Sequence, residues 1–155
     1  MRHRGVVMGA AATLLVGFGL IQLVPYGRQH TNPPVISEPA WTSPQVRTVA
    51  ARACFDCHSN ETTWPWYSSV APASWLVQRD VDVGRAALNL SDWNRSRGSR
   101  EAAEAVIGGE MPPPYYTLVR PGTGLTADER QQLVNALSAS GGSGRTPAGL
   151  ASGRD

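Results

Sequence analysis

Cys54-Phe55-Asp56-Cys57-His58 is where this chain concentrates its reactive side chains. Cys54 and Cys57 are its only two cysteines, so no structural disulfide framework exists and the pair must act together. Two thiols spaced by two residues can each add to one vinyl group of a porphyrin. The residue that follows, His58, then lies under the ring and can place a neutral imidazole nitrogen on iron. Two other chemistries use such a pair. A dithiol redox switch calls for a βαβ context, and no strand pattern is present. A structural zinc site usually takes four ligands, and Cys54, Cys57 and His58 supply three crowded ones. The spacing with its following His therefore predicts one covalently attached haem c.

A second axial ligand is sought among the remaining side chains. Lys is absent, His3 precedes an apolar segment and His30 lies in a proline-containing stretch. Met111 is the only methionine beyond the apolar segment, in Gly108-Gly109-Glu110-Met111-Pro112-Pro113-Pro114. A thioether opposite His58 would give His/Met ligation, which raises the reduction potential. The bland alternative is a flexible core filler. Pro112 to Pro114 argue against it, because they would hold the loop without help from hydrogen bonds. Trp64-Pro65-Trp66-Tyr67 is expected to serve as core and as a wall of the haem pocket, with indole or phenol groups in reach of a propionate. Arg120 could meet a propionate or simply face solvent.

These residues need elements to hold them, and the pattern predicts an all-α domain. Ser43-Pro44 starts a helix whose stripe of Val46, Val49, Ala50, Ala53 and Cys57 runs into the motif. A second helix starts at Pro72, with Ala73, Val77, Val81, Gly84 and Leu88 on one face. A third follows Ser99 and ends at Gly108-Gly109. The last opens with the capping box Thr126-x-x-Glu129, presents Leu133, Ala136 and Leu137, and ends near Gly141. The first and last of these helices are expected to pack together.

Residues 5–24 pass without a charge, and about 20 residues at ~1.5 Å each span the bilayer core. No small-residue cleavage pattern follows, so residues 1–25 are expected to remain as a single transmembrane anchor. Arg2 and Arg4 precede it, which places the domain on the periplasmic or outer face of a bacterial inner membrane. Residues 26–40 are expected to be a linker, 41–139 a cytochrome c-like domain, and 140–155 a disordered tail. From residue 25 onward twelve Arg face twelve Asp or Glu, which argues against nucleic acid as a partner.

The chain resembles a bacterial haem-binding domain family of small c-type-cytochrome-like proteins. The resemblance rests on Ala53 through Asn60, Trp64 through Ser68, Pro72 through Trp75, Gly84-Arg85, Leu88 through Trp93, Gly109 through Pro112 and Leu125-Thr126, about residues 41–138. It implies covalent haem on Cys54 and Cys57, with His58 as proximal ligand. It implies no particular reaction. The expected role is one-electron transfer between redox partner proteins rather than enzymatic turnover. The alternative is a haem-based gas or redox sensor, or a peroxidase-like protein, with a displaceable distal ligand.

Overall fold

A computed structural model describes residues 2–140. Seven α-helices and two 3-10 turns make up its regular structure, and no strand occurs among the described residues. The helices are α1 (Arg2–Ile21), α2 (Pro44–Ala53), α3 (Phe55–His58), α4 (Ala73–Ala87), α5 (Ser99–Ile107), α6 (Pro114–Val119) and α7 (Ala127–Ser140). Beyond Ser140, the expected tail and the Gly141 cap lie outside the described residues.

Helix α1 is long and apolar enough to cross a membrane by length and composition, and none of His3–Ile21 is buried in the protein. The segment after it departs from the expected linker. Residues 26–40 do not stand off as a spacer but lie along the domain as a strap. Tyr26 Oη donates to Asp82 at 3.1 Å, Asn32 Nδ2 to the Thr62 carbonyl at 2.9 Å, and the Ile36 amide to the Ser91 carbonyl at 2.8 Å. Arg47 donates twice to Glu38, at 2.7 and 2.6 Å. Gly27 explains its own identity: at φ +83° a Cβ there would stand 2.2 Å from the Ser74 carbonyl oxygen. These are polar, long-range contacts, so no apolar periodicity announces them.

Helix α2 begins as its sequence dictates. Ser43 Oγ accepts from the Val46 amide at 3.3 Å, and Pro44 occupies the first turn, where no amide is needed. Val46, Ala50 and Ala53 form its buried stripe, and Val49 lies at the stripe's edge. The stripe does not run straight into the motif. The backbone bends at Cys54 (φ −126°, ψ −34°), and α3 is a separate single turn. The bend drives Phe55, only 4% exposed, into the core beside Ala50, Leu90 and Leu133.

Helices α2 and α7 do touch, and Arg52 bridges to Glu129 at 2.8 Å. The more extensive partner of α7 is α5, whose buried Ala103 and Val106 join Leu133, Val134 and Leu137 in the core. The capping box of α7 is reciprocal: the Thr126 amide donates to Glu129 at 2.9 Å and the Glu129 amide to Thr126 Oγ1 at 3.2 Å. The Thr126 amide, then Arg52, hold the Glu129 carboxyl below its ordinary 4.5. Its folded value is depressed, so the stability it adds is present above pH 4.5 and is lost as pH falls through the folded value. Glu129→Gln should therefore cost about 0.5–1 kcal/mol at pH 7 in a thermal melt, and the cost should shrink steadily as pH is lowered below 4.5. A cost that does not change with pH would show that the charge is not what matters.

Candidate haem site

The motif sits on α3, between α2 and α4. Helix α4 approaches so closely that a Cβ at Gly84 would stand 2.4 Å from the Cys57 carbonyl oxygen. Only glycine permits that approach. Four residues further on, the Leu88 carbonyl accepts from His58 Nδ1 at 3.1 Å, and the Leu90 amide returns to the His58 carbonyl at 2.7 Å. A carbonyl only accepts, so Nδ1 carries the hydrogen and Nε2 keeps its lone pair. Burial holds the imidazole below its ordinary pKa, so the ring is neutral at physiological pH. Metal-binding histidines are commonly held in this way, with one ring nitrogen bonded to a carbonyl.

Cys54 and Cys57 are free and half-buried. Burial, then the neighbouring Cys57, pushes the Cys54 thiol up to about 12. Burial, then Asp80 and Asp56, does the same for Cys57. Redox-active pairs show the opposite shift. Among the described residues no group of three or more His, Cys, Asp or Glu is placed to hold a metal ion.

Two cavities beside the motif contain both Cys54 and His58. One, about 500 Å³, is lined by Cys54 and His58 together with Leu88, Leu90, Val106, Met111, Leu133 and Leu137. The other, about 260 Å³, adds Cys57, Gly84, Pro112, Pro113, Tyr115 and Tyr116. Cys54, His58, Ala87 and Met111 line both. Ligand sites typically occupy about 300–1,000 Å³, with mostly apolar walls. Cavities of this size and character, one lined by Cys54 and His58 and the adjoining one by both cysteines and His58, suit a flat apolar macrocycle carrying a metal.

Met111 thus shares both cavities with His58, and it is 36% exposed. Its loop is not held by prolines alone, contrary to the expectation. The Glu110 and Met111 amides both donate to the Ala105 carbonyl, at 2.9 and 3.2 Å. The aromatic run divides. Tyr67 lines a third cavity of about 370 Å³ next to Cys57. Trp66 is 82% exposed and Trp64 stacks on His30 with ring centres 4.7 Å apart; neither lines the cavities around the motif. The 3-10 turn Trp66–Ser69 turns Trp66 outward and Tyr67 lines only the third cavity, so none of the three aromatic residues lines the two cavities that contain His58. His30 Nε2 lies 2.9 Å from Ser68 Oγ and 3.1 Å from the Ser68 carbonyl, away from any ligand role.

Three groups of contacts went unforeseen. Asp56, inside the motif, accepts from Tyr116 Oη at 2.7 Å and from the Arg120 guanidinium, which ties α6 to α3. Burial, then the Asp56 hydrogen bond, raises the Tyr116 phenol, so it remains a donor. Arg120 is therefore a partly buried partner of Asp56 and not a freely solvated loop cation. Tyr115 Oη donates to Asp80 at 2.9 Å, fixing α6 to α4 as well. Arg85 joins the segment after the motif to the strap, with bonds to the Ser59 carbonyl at 2.7 Å, the Thr31 carbonyl at 3.1 Å and Asn32 Oδ1 at 3.1 Å. Asp56→Asn removes the charge facing Arg120 and should cost roughly 2 kcal/mol. An unchanged denaturant midpoint would show that this latch contributes nothing.

An all-helical domain that gathers these groups around an apolar slot defines a small haem-binding protein. The chain belongs to the haem-binding domain family, whose match covers residues 16–139. The match includes the end of α1 and the whole strap, beyond the 41–138 expected from the sequence, in keeping with the strap's contacts. No curated protein and no solved structure matches the chain.

Proposed function

We propose that this protein is a membrane-anchored c-type cytochrome that carries single electrons at the periplasmic face of a bacterial inner membrane. The observation that carries this reading is the His58 ring. Its Nδ1 is engaged by the Leu88 carbonyl, and it shares two cavities with Met111 and Cys54. In this reading Cys54 and Cys57 would hold the haem as thioethers, and His58 Nε2 and Met111 would bind its iron. The bound haem supplies one-electron redox chemistry. The chain supplies ligands on both faces, so that gaining an electron changes few bonds, and an apolar wall that keeps water from the ring. Helix α1, preceded by Arg2 and Arg4, supplies the anchor and its orientation.

Redox titration of the full-length holoprotein in membranes, with carbon monoxide added to the reduced form, tests this reading. The expected result is one reversible one-electron transition and no spectral response to carbon monoxide. Ready carbon monoxide binding, or turnover of peroxide, would replace the carrier by a sensor or a peroxidase.

A further inference from the structure

The end of α1 is clasped to the domain. Gln22 Nε2 donates to the Ala71 carbonyl at 2.9 Å, and Gln22 Oε1 accepts from the Ala71 amide at 3.0 Å. Arg28 donates to the same Oε1 at 3.0 Å. A few residues on, Gly27 is buried against Ser74, and Tyr26 reaches Asp82 on α4. Paired bonds to one backbone position, followed by a buried glycine, make a fixed joint and not a swivel.

The surface beside this joint is apolar. Leu23 is 77% exposed, Val24 44%, Val70 36% and Trp66 82%. Trp66 belongs to a tight turn, with the Ser68 amide bonded to the Pro65 carbonyl and the Val70 amide to the Tyr67 carbonyl. With about 2 Å of rise per residue in the turn and about 3.3 Å per extended step beyond Ser69, Trp66 lies within roughly 13 Å of Ala71 along the backbone.

Bilayer dimensions then place these residues. A 20-residue α1 is about 30 Å long, the thickness of the hydrocarbon core. With α1 across that core, Gln22 stands at its edge, and Ala71 is bonded to Gln22. The headgroup layer on each side is roughly 5–8 Å deep. Val70 is next to Ala71, and Trp66 is one short turn away. Tryptophan, apolar in its ring and polar at its N–H, is the side chain suited to that layer. Arg28, exposed and bonded to the same Gln22, adds a cation at the depth of lipid phosphates.

We propose that the face formed by Leu23, Val24, Trp66 and Val70 rests in the bilayer headgroup layer, so that the domain is held on the membrane in one orientation. This rests on α1 being a membrane span. The test uses full-length holoprotein in phosphatidylcholine vesicles that carry a phospholipid with a photoactivated diazirine near its headgroup. After illumination, mass spectrometry locates the lipid adducts. Adducts are expected both at the α1 end and on residues 64–76. The variant Trp66→Glu/Val70→Glu should lose the second set while keeping the first set and its haem absorption. Adducts confined to the α1 region would leave the anchor standing and overturn the docked face. Adducts on residues 64–76 that persist in the variant would overturn it too. A chain that does not float with the vesicles would overturn the anchor and the docked face together.

Discussion

Met111→Ala should convert a haem protein indifferent to carbon monoxide into one that binds it readily in the reduced state. Met111 is the only methionine outside α1 and the N-terminal residue. It lines both cavities that contain His58, and its loop is fixed from two directions. The Ala105 carbonyl holds the amides of Glu110 and Met111, and the contacts of Tyr115 with Asp80 and of Tyr116 with Asp56 hold α6 just beyond. In the proposed reading the Met111 sulfur would bind the iron from this loop. Removing it opens the sixth position and also lowers the reduction potential, because the thioether favours the reduced state. The fold should survive, since Met111 is 36% exposed and contributes little to the core. Carbon monoxide difference spectra and a redox titration of variant and wild type check both effects. If the wild type already binds the gas as readily as the variant, Met111 is not the ligand.

The second large effect is expected from Cys54→Ala/Cys57→Ala. With no thioethers, haem should dissociate when the variant is denatured, and its occupancy in the native state should depend on free haem. The cavity walls Leu88, Leu90, Leu133 and Leu137 also belong to the main core, so loss of haem would remove contacts from the core in which α5 packs on α7. Saturation of a site at about a hundred times its Kd is worth about 2.7 kcal/mol. At about 4–8 °C per kcal/mol, a haem-depleted variant should melt roughly 10–20 °C below the wild type. Calorimetry with and without added haem measures this. Equal melting of the depleted variant and the wild type would mean that the slot is not built around the cofactor.

What the sequence disclosed was what neighbouring residues decide together. Ser43-Pro44 and Thr126-x-x-Glu129 start helices through contacts three residues apart, and both form. The cysteine spacing and its following His are local in the same way. What stayed hidden depends on distant partners. Asp56 meets Tyr116 and Arg120 at separations of 60 and 64 residues, and nothing in Phe55-Asp56-Cys57 indicates them. Helix α6 is only six residues long and follows a run of prolines, too short to show a period. The strap looked like a spacer because polar side chains and backbone amides hold it, not apolar ones. The apolar stripe through Cys57 was legible, but the bend at Cys54 that turns Phe55 inward was not. A stripe reports which residues are apolar, and it continues unbroken across a bend.

Covalent attachment is the central claim, and the denatured mass of the mature wild-type chain tests it most directly. The protein is made in a bacterium with c-type maturation, purified from its membranes, unfolded in acid and weighed intact. The account predicts a single species that retains α1 and carries the mass of one haem. A bare polypeptide mass, with the haem recovered in acidified organic solvent, would contradict it.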